Sequence, residues 1–77
     1  MQVFFFDRVT PDEIIIDDVG MELGSLQQAL REARLSLGDE ARAFASHGRE
    51  GHIALIVRDA SGPLFEFSAD FSSRPLP

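Results

Sequence analysis

Residues 24–48, GSLQQALREARLSLGDEARAFASHG, decide how the rest of the chain can fold. Apolar side chains at Leu26, Leu30, Ala33, Leu37, Ala41 and Phe44 recur at helical spacing and form one continuous stripe. Gln27, Gln28, Arg31, Glu32, Arg34, Asp39, Glu40 and Arg42 form the solvated face. Ser25 suits the N-cap, because its hydroxyl can accept a hydrogen bond from an unpaired first-turn amide, and Gln28 is placed to complete a capping box. Gly48 suits the left-handed residue beyond the C-terminus. Gly38 costs about 1 kcal/mol relative to alanine inside a helix. The stripe nevertheless stays in phase across it, so one helix is predicted.

The segments around the helix read as short strands. QVFFFD (2–7) is aromatic and β-branched, with Val3 and Phe5 on one face and Phe4 and Phe6 on the other. A turn at Thr10-Pro11-Asp12 leads into EIIID (13–17), whose three isoleucines favour a strand. Met21-Glu22-Leu23 is an extended lead into the helix. Beyond the helix, HIALIVRD (52–59) and LFEFSA (64–69) are strands joined by a tight turn at residues 60–63. Phe71 can serve as a last anchor, and SSRPLP (72–77) reads as a flexible tail.

This order predicts an α+β fold, β-β-α-β-β, with one long helix packed on one face of a mostly antiparallel four-stranded sheet. Taking the predicted strands in chain order, the expected sheet order is 2-1-3-4. Residues 1–71 form a single domain. Val3, Phe5, Ile14, Ile16, Ile53, Leu55, Val57, Phe65 and Phe67 are expected to face the helix.

Composition narrows the function classes. The chain has 77 residues, no cysteine and a net charge of −6. Without cysteine there is neither a disulfide framework nor a thiolate metal site. Net acidity opposes binding to a phosphate backbone, which depends on Lys and Arg, so nucleic acid is not an expected partner. No apolar run is long enough to span a membrane, and no secretory leader is recognisable at the start, so a cytoplasmic protein is expected.

Four stretches together resemble a group of short bacterial proteins known only as a domain of unknown function. They are VFFF (3–6), DDVGMEL (17–23), LREA (30–33) and VRDASGPLFEF (57–67). The shared pattern is an aromatic first strand, D-x-x-G-x-E-L before an alanine-rich helix, and a late D-x-x-G hairpin. Phe6 departs from it, because members often carry a polar residue or histidine there. The resemblance implies no activity and no functional residues.

No constellation in the sequence points to chemistry. His47 and His52 flank a glycine-rich loop and have no evident third ligand. Asp12, Glu13, Asp17, Asp18 and Glu22 are acidic but lack the spacing of a calcium loop. No serine sits in a G-x-S-x-G elbow, and Gly20–Gly24 is not a phosphate loop. No enzyme activity, cofactor or metal is therefore expected. Phe4, Phe6, Ala54 and Ile56 are expected on the sheet face away from the helix, as a partner-binding surface. The resulting reading is a non-enzymatic protein-interaction module, a homodimer joined through that face or a sheet edge. The alternatives are a single-stranded nucleic-acid binder using the sheet aromatics, or a weak cation-binding domain.

Overall fold

The computed structural model describes residues 1–77. Strand β1 spans Gln2–Val9, β2 spans Ile14–Ile15 and β3 spans Met21–Leu23; helix α1 spans Leu26–Ser46; β4 spans Gly51–Asp59 and β5 spans Gly62–Phe71. All pairings are antiparallel, and the sheet order is β2-β1-β4-β5, with β3 also paired to β1. The expected α+β architecture and sheet order are both present. Met21–Leu23, expected only as an extended lead, joins the sheet as a strand.

The helix is continuous through Gly38, and its caps follow from sequence. The Ser25 hydroxyl accepts from the Gln28 N–H (3.2 Å), and the Gln28 side chain accepts from the Gly24 N–H (2.7 Å). Gly48 takes φ +68°, the left-handed conformation that ends a helix. Ala29 and Ala33 are fully enclosed, so the helix backbone lies close to the sheet, and Leu23, Leu26, Leu30 and Leu37 pack around them. At the other end, the Phe44 ring stands 6.1 Å from that of Phe71, which makes Phe71 the anchor it was expected to be. The chain carries no regular structure after Phe71.

Register settles which face of β1 meets the helix. Residues opposite one another in an antiparallel pair share a face. Phe6 lies opposite Val57, and Val57 opposite Phe65; Arg8 lies opposite Leu55, and Leu55 opposite Phe67. These residues share the helix side. Phe5 lies opposite Arg58, Asp7 opposite Ile56 and Val9 opposite Ala54, and these share the outer side. Phe4 is 1% exposed and forms the core with Ala29, Ala33, Leu55 and Val57, while Phe6 packs against that core.

The expectation for β1 is therefore corrected. Phe4 and Phe6 face the helix, whereas Val3 and Phe5 face outward, and Ile14, opposite Val9, lies with the outer set. The physical reason lies in the two charges at the end of the strand. Arg8 shares the helix side with Phe4 and Phe6, and its long stem carries the guanidinium out to an ion pair with Glu40. Asp7 shares the other side and is too short to reach out from beneath a helix.

The second predicted strand, residues 13–17, is also shorter than expected. Arg8 faces Ile15 and Phe4 faces Met21, so four steps along β1 are met by six on the neighbouring segment. β2 and β3 are thus two halves of one edge, interrupted by a bulge at residues 16–20 that absorbs two extra residues.

Phe4→Ala should destabilise the fold by about 3–5 kcal/mol, the usual penalty for truncating a core phenylalanine. Val3→Ala on the outward face should stay within about 0.5 kcal/mol. Urea unfolding of both variants checks the assignment, and comparable losses would contradict it.

Candidate functional site

The chain's most organised polar cluster sits where the bulge crosses β1. Asp7 is 5% exposed, yet its carboxylate is fully engaged. Oδ1 accepts from the Asp17 N–H at 2.8 Å and Oδ2 from Arg58 Nε at 2.7 Å. Arg58 also donates Nη2 to the Asp17 carbonyl at 2.6 Å, and its guanidinium lies 4.4 Å from the centre of the Phe5 ring. Asp17 completes the circuit: its Oδ2 accepts from the Phe6 N–H at 3.1 Å, and its Oδ1 accepts from the Val19 and Gly20 N–H groups, each at 3.0 Å.

The ionisation states follow from these contacts. Burial pushes the Asp17 carboxyl up, but the N–H groups of Gly20, Phe6 and Val19, with the Arg58 charge, outweigh it and hold the pKa below its ordinary value. The hydrogen bond to Asp7 raises the Arg58 pKa, against an opposing contribution from burial. Every buried side-chain polar atom has a partner. A cluster whose buried polar atoms are all partnered is a clamp that ties three segments of the chain together.

This geometry explains both D-x-x-G signatures. In the first, Asp17 closes its own turn, and Gly20 takes φ +80° with its backbone against Val3 and Phe5. A Cβ there would lie 2.8 Å from Val3 Cγ1 and 2.9 Å from Phe5 Cε1. In the second, the Asp59 carboxylate accepts from the Ser61 N–H at 2.8 Å, and Gly62 takes φ +125°. Each is an aspartate-capped turn closed by a glycine. Sequence reasoning overlooked the pairing of Asp7 with Arg58; the available signal was a pair of opposite charges near the end of each of two apolar strands, Asp7-Arg8 and Arg58-Asp59.

The other candidates disperse. His47 Nδ1 contacts the Ala43 carbonyl oxygen (2.7 Å), whereas His52, on β4, pairs with Asp70 (2.8 Å). Asp12 pairs with Arg49, while Glu13, Asp18 and Glu22 are exposed. No three acidic, histidine or cysteine side chains converge on a point that could hold a metal. An open groove of about 400 Å³ runs between α1 and β1, floored by Phe6, Arg8 and Leu55 and walled by Ser36, Asp39, Glu40 and Ala43. The Arg8–Glu40 ion pair bridges it.

Of the four residues expected to bind a partner, only two lie on the outer face. Ala54 is buried among its neighbours there, and Ile56 is half-buried opposite Asp7. Phe4 is enclosed in the core, and Phe6 lines the helix-side groove. The outer face is instead presented by Val3, Phe5, Val9, Ile14 and Ile56, with Val3 41% and Ile14 66% exposed. No helix is long and apolar enough to cross a membrane.

Residues 3–70 match the family described as a domain of unknown function, DUF6894, and the chain belongs to that family. No curated protein and no solved structure matches it.

The lowered Asp17 pKa gives a signed pH dependence. Its contribution to stability is present above the unfolded-state value of about 3.8 and is lost as pH falls through the lower folded-state value. Asp17→Asn should destabilise at neutral pH by about 1–3 kcal/mol through the bonds it weakens. It should also flatten the acid limb of the stability curve. Denaturant midpoints between pH 7 and pH 2 check both; an unchanged acid limb would contradict the role of the carboxylate.

Proposed function

We propose that this chain is a non-enzymatic protein-interaction module of the cytoplasm that associates with a second copy through its sheet. The observation that carries this reading is one-sided coverage. A single helix protects one face, while the reverse presents Val3, Phe5, Val9, Ile14 and Ile56 with only the bulge lying over part of it. Neighbouring exposed apolar side chains are a feature of interaction surfaces. The edge of the same sheet is equally open, because β5 pairs only with β4. A domain of this size has a small core, and association adds stability that the monomer lacks.

The alternatives have less support. Stacking of bases on Phe4 and Phe6 needs rings that face solvent, and Phe4 is in the core. The net charge of −6 also opposes a polyanion. Cation binding through the acidic turn loses Asp12 to Arg49 and Asp17 to the clamp.

Sedimentation velocity of the intact chain should show the mass rising from 8.5 kDa toward twice that value with concentration. Thermal stability should rise in parallel. A strict monomer at high micromolar concentration, with a concentration-independent melting temperature, would overturn the proposal.

A further inference from the structure

We infer that the occupant of the β5 edge is the β5 strand of a second copy, paired antiparallel about a two-fold axis at Phe67, so that Glu66 faces the partner's Ser68. The inference rests on the self-association proposed above and specifies how it occurs. β5 is ten residues long and has only β4 beside it.

The direction of its unpaired groups follows from one observed bond. The Phe6 N–H points to Asp17, away from β4. Backbone groups alternate along a strand, so Phe5, Asp7 and Val9 turn theirs toward β4. Their partners Arg58, Ile56 and Ala54 turn back toward β1, which leaves Val57, Leu55 and Ile53 to bond β5 at Phe65, Phe67 and Ala69. Glu66, Ser68 and Asp70 therefore direct their N–H and C=O groups to the open edge.

Charge and the length of strand overlap together select the register. Like charges directly opposite one another destabilise a strand pair. An axis at Glu66 sets Glu66 against its own copy, and an axis at Ser68 sets Glu66 against Asp70. An axis at Phe67 sets Glu66 against Ser68 and Asp70 against Leu64, so neither carboxylate meets another. On the helix side the same register lays Phe67 beside its copy and Phe65, 47% exposed in the single chain, beside Ala69. The two acidic residues thus oppose the nearest neighbouring registers; axes at Phe65 or Ala69 also keep the carboxylates apart, but they pair fewer of the strand's ten residues. Net charge adds a long-range repulsion of −6 against −6, so the pairing tightens with salt.

Single-cysteine variants test this cleanly, because the chain has no cysteine of its own. Glu66 and Ser68 are both exposed, so substitution there leaves the core alone. An oxidised mixture of Glu66→Cys and Ser68→Cys should give the mixed disulfide, resolved from the two homodimers by intact mass. Directly opposed positions in this register lie about 5.5 Å apart, within disulfide reach. Each variant oxidised alone should cross-link far more slowly, since like positions are offset by two residues and lie roughly 8 Å apart. Ser68→Lys should tighten the dimer roughly twofold to tenfold by facing the partner's Glu66, and Ser68→Glu should loosen it similarly.

Faster cross-linking of Glu66→Cys alone would overturn the register. A dimer by sedimentation with no cross-link in any mixture would overturn the edge and leave self-association standing. A monomer throughout would remove both.

Discussion

Asp7 places a carboxylate where almost no water reaches it, and much of the structure is arranged to answer that charge. An unpaired buried carboxylate is strongly unfavourable, so it must be met by donors with little freedom to move. Here they come from two directions, the Arg58 guanidinium on β4 and the Asp17 N–H in the bulge. The same contacts that neutralise Asp7 tie the second segment of the chain to the fourth strand. They hold a set of residues well separated in sequence, Asp7, Asp17 and Arg58, in one place.

The local consequences follow in turn. Because Arg58 must reach Asp7, the two share the outer face, which commits Phe5 to that face and Phe4 and Phe6 to the helix. Because the Asp17 backbone must reach Asp7, the chain leaves the ladder after Ile15 and rejoins it at Met21. The detour stays ordered because the Asp17 carboxylate gathers three N–H groups, two from its own turn and one from β1. Gly20 is required at its end, since only a residue without Cβ fits against Val3 and Phe5 at that backbone angle. The two D-x-x-G motifs of this chain are therefore structural punctuation with a definable mechanism.

What the sequence made legible was whatever depends on local signals. The helix limits, the Ser25 cap, the left-handed Gly48 and the antiparallel order of the principal strands all derive from periodicity, capping chemistry and turn residues. The phase of β1 was not legible. Val3, Phe4, Phe5 and Phe6 are apolar on both faces, so alternation carries no information about which face is covered. Arg8 and Asp7 offered a charge to each face, and only the difference in their reach decides between them. The extent of β2 was misjudged for a similar reason, since three isoleucines read as strand while the pull on Asp17 acts from residues far away in sequence. The Asp7–Arg58 pair itself depends on register, which no local pattern specifies.

The correction at Phe4 and Phe6 changes how an interaction surface should be sought in this chain. With Phe4 and Phe6 inside, the outward face is built from Val3, Phe5, Val9, Ile14 and Ile56, and it is broken by the Asp7–Arg58 pair and by Glu66. Such a face is less continuous than one carrying Phe4 and Phe6 would have been. The edge of β5, by contrast, combines unpaired backbone groups with apolar side chains on both sides, Leu64 outward and Phe65 toward the helix. Backbone pairing does not need a continuous apolar patch, and its specificity comes from which side chains fall opposite one another. The reverse face of the sheet is divided by a polar clamp, whereas the far edge of β5 carries an uninterrupted row of unpaired backbone groups.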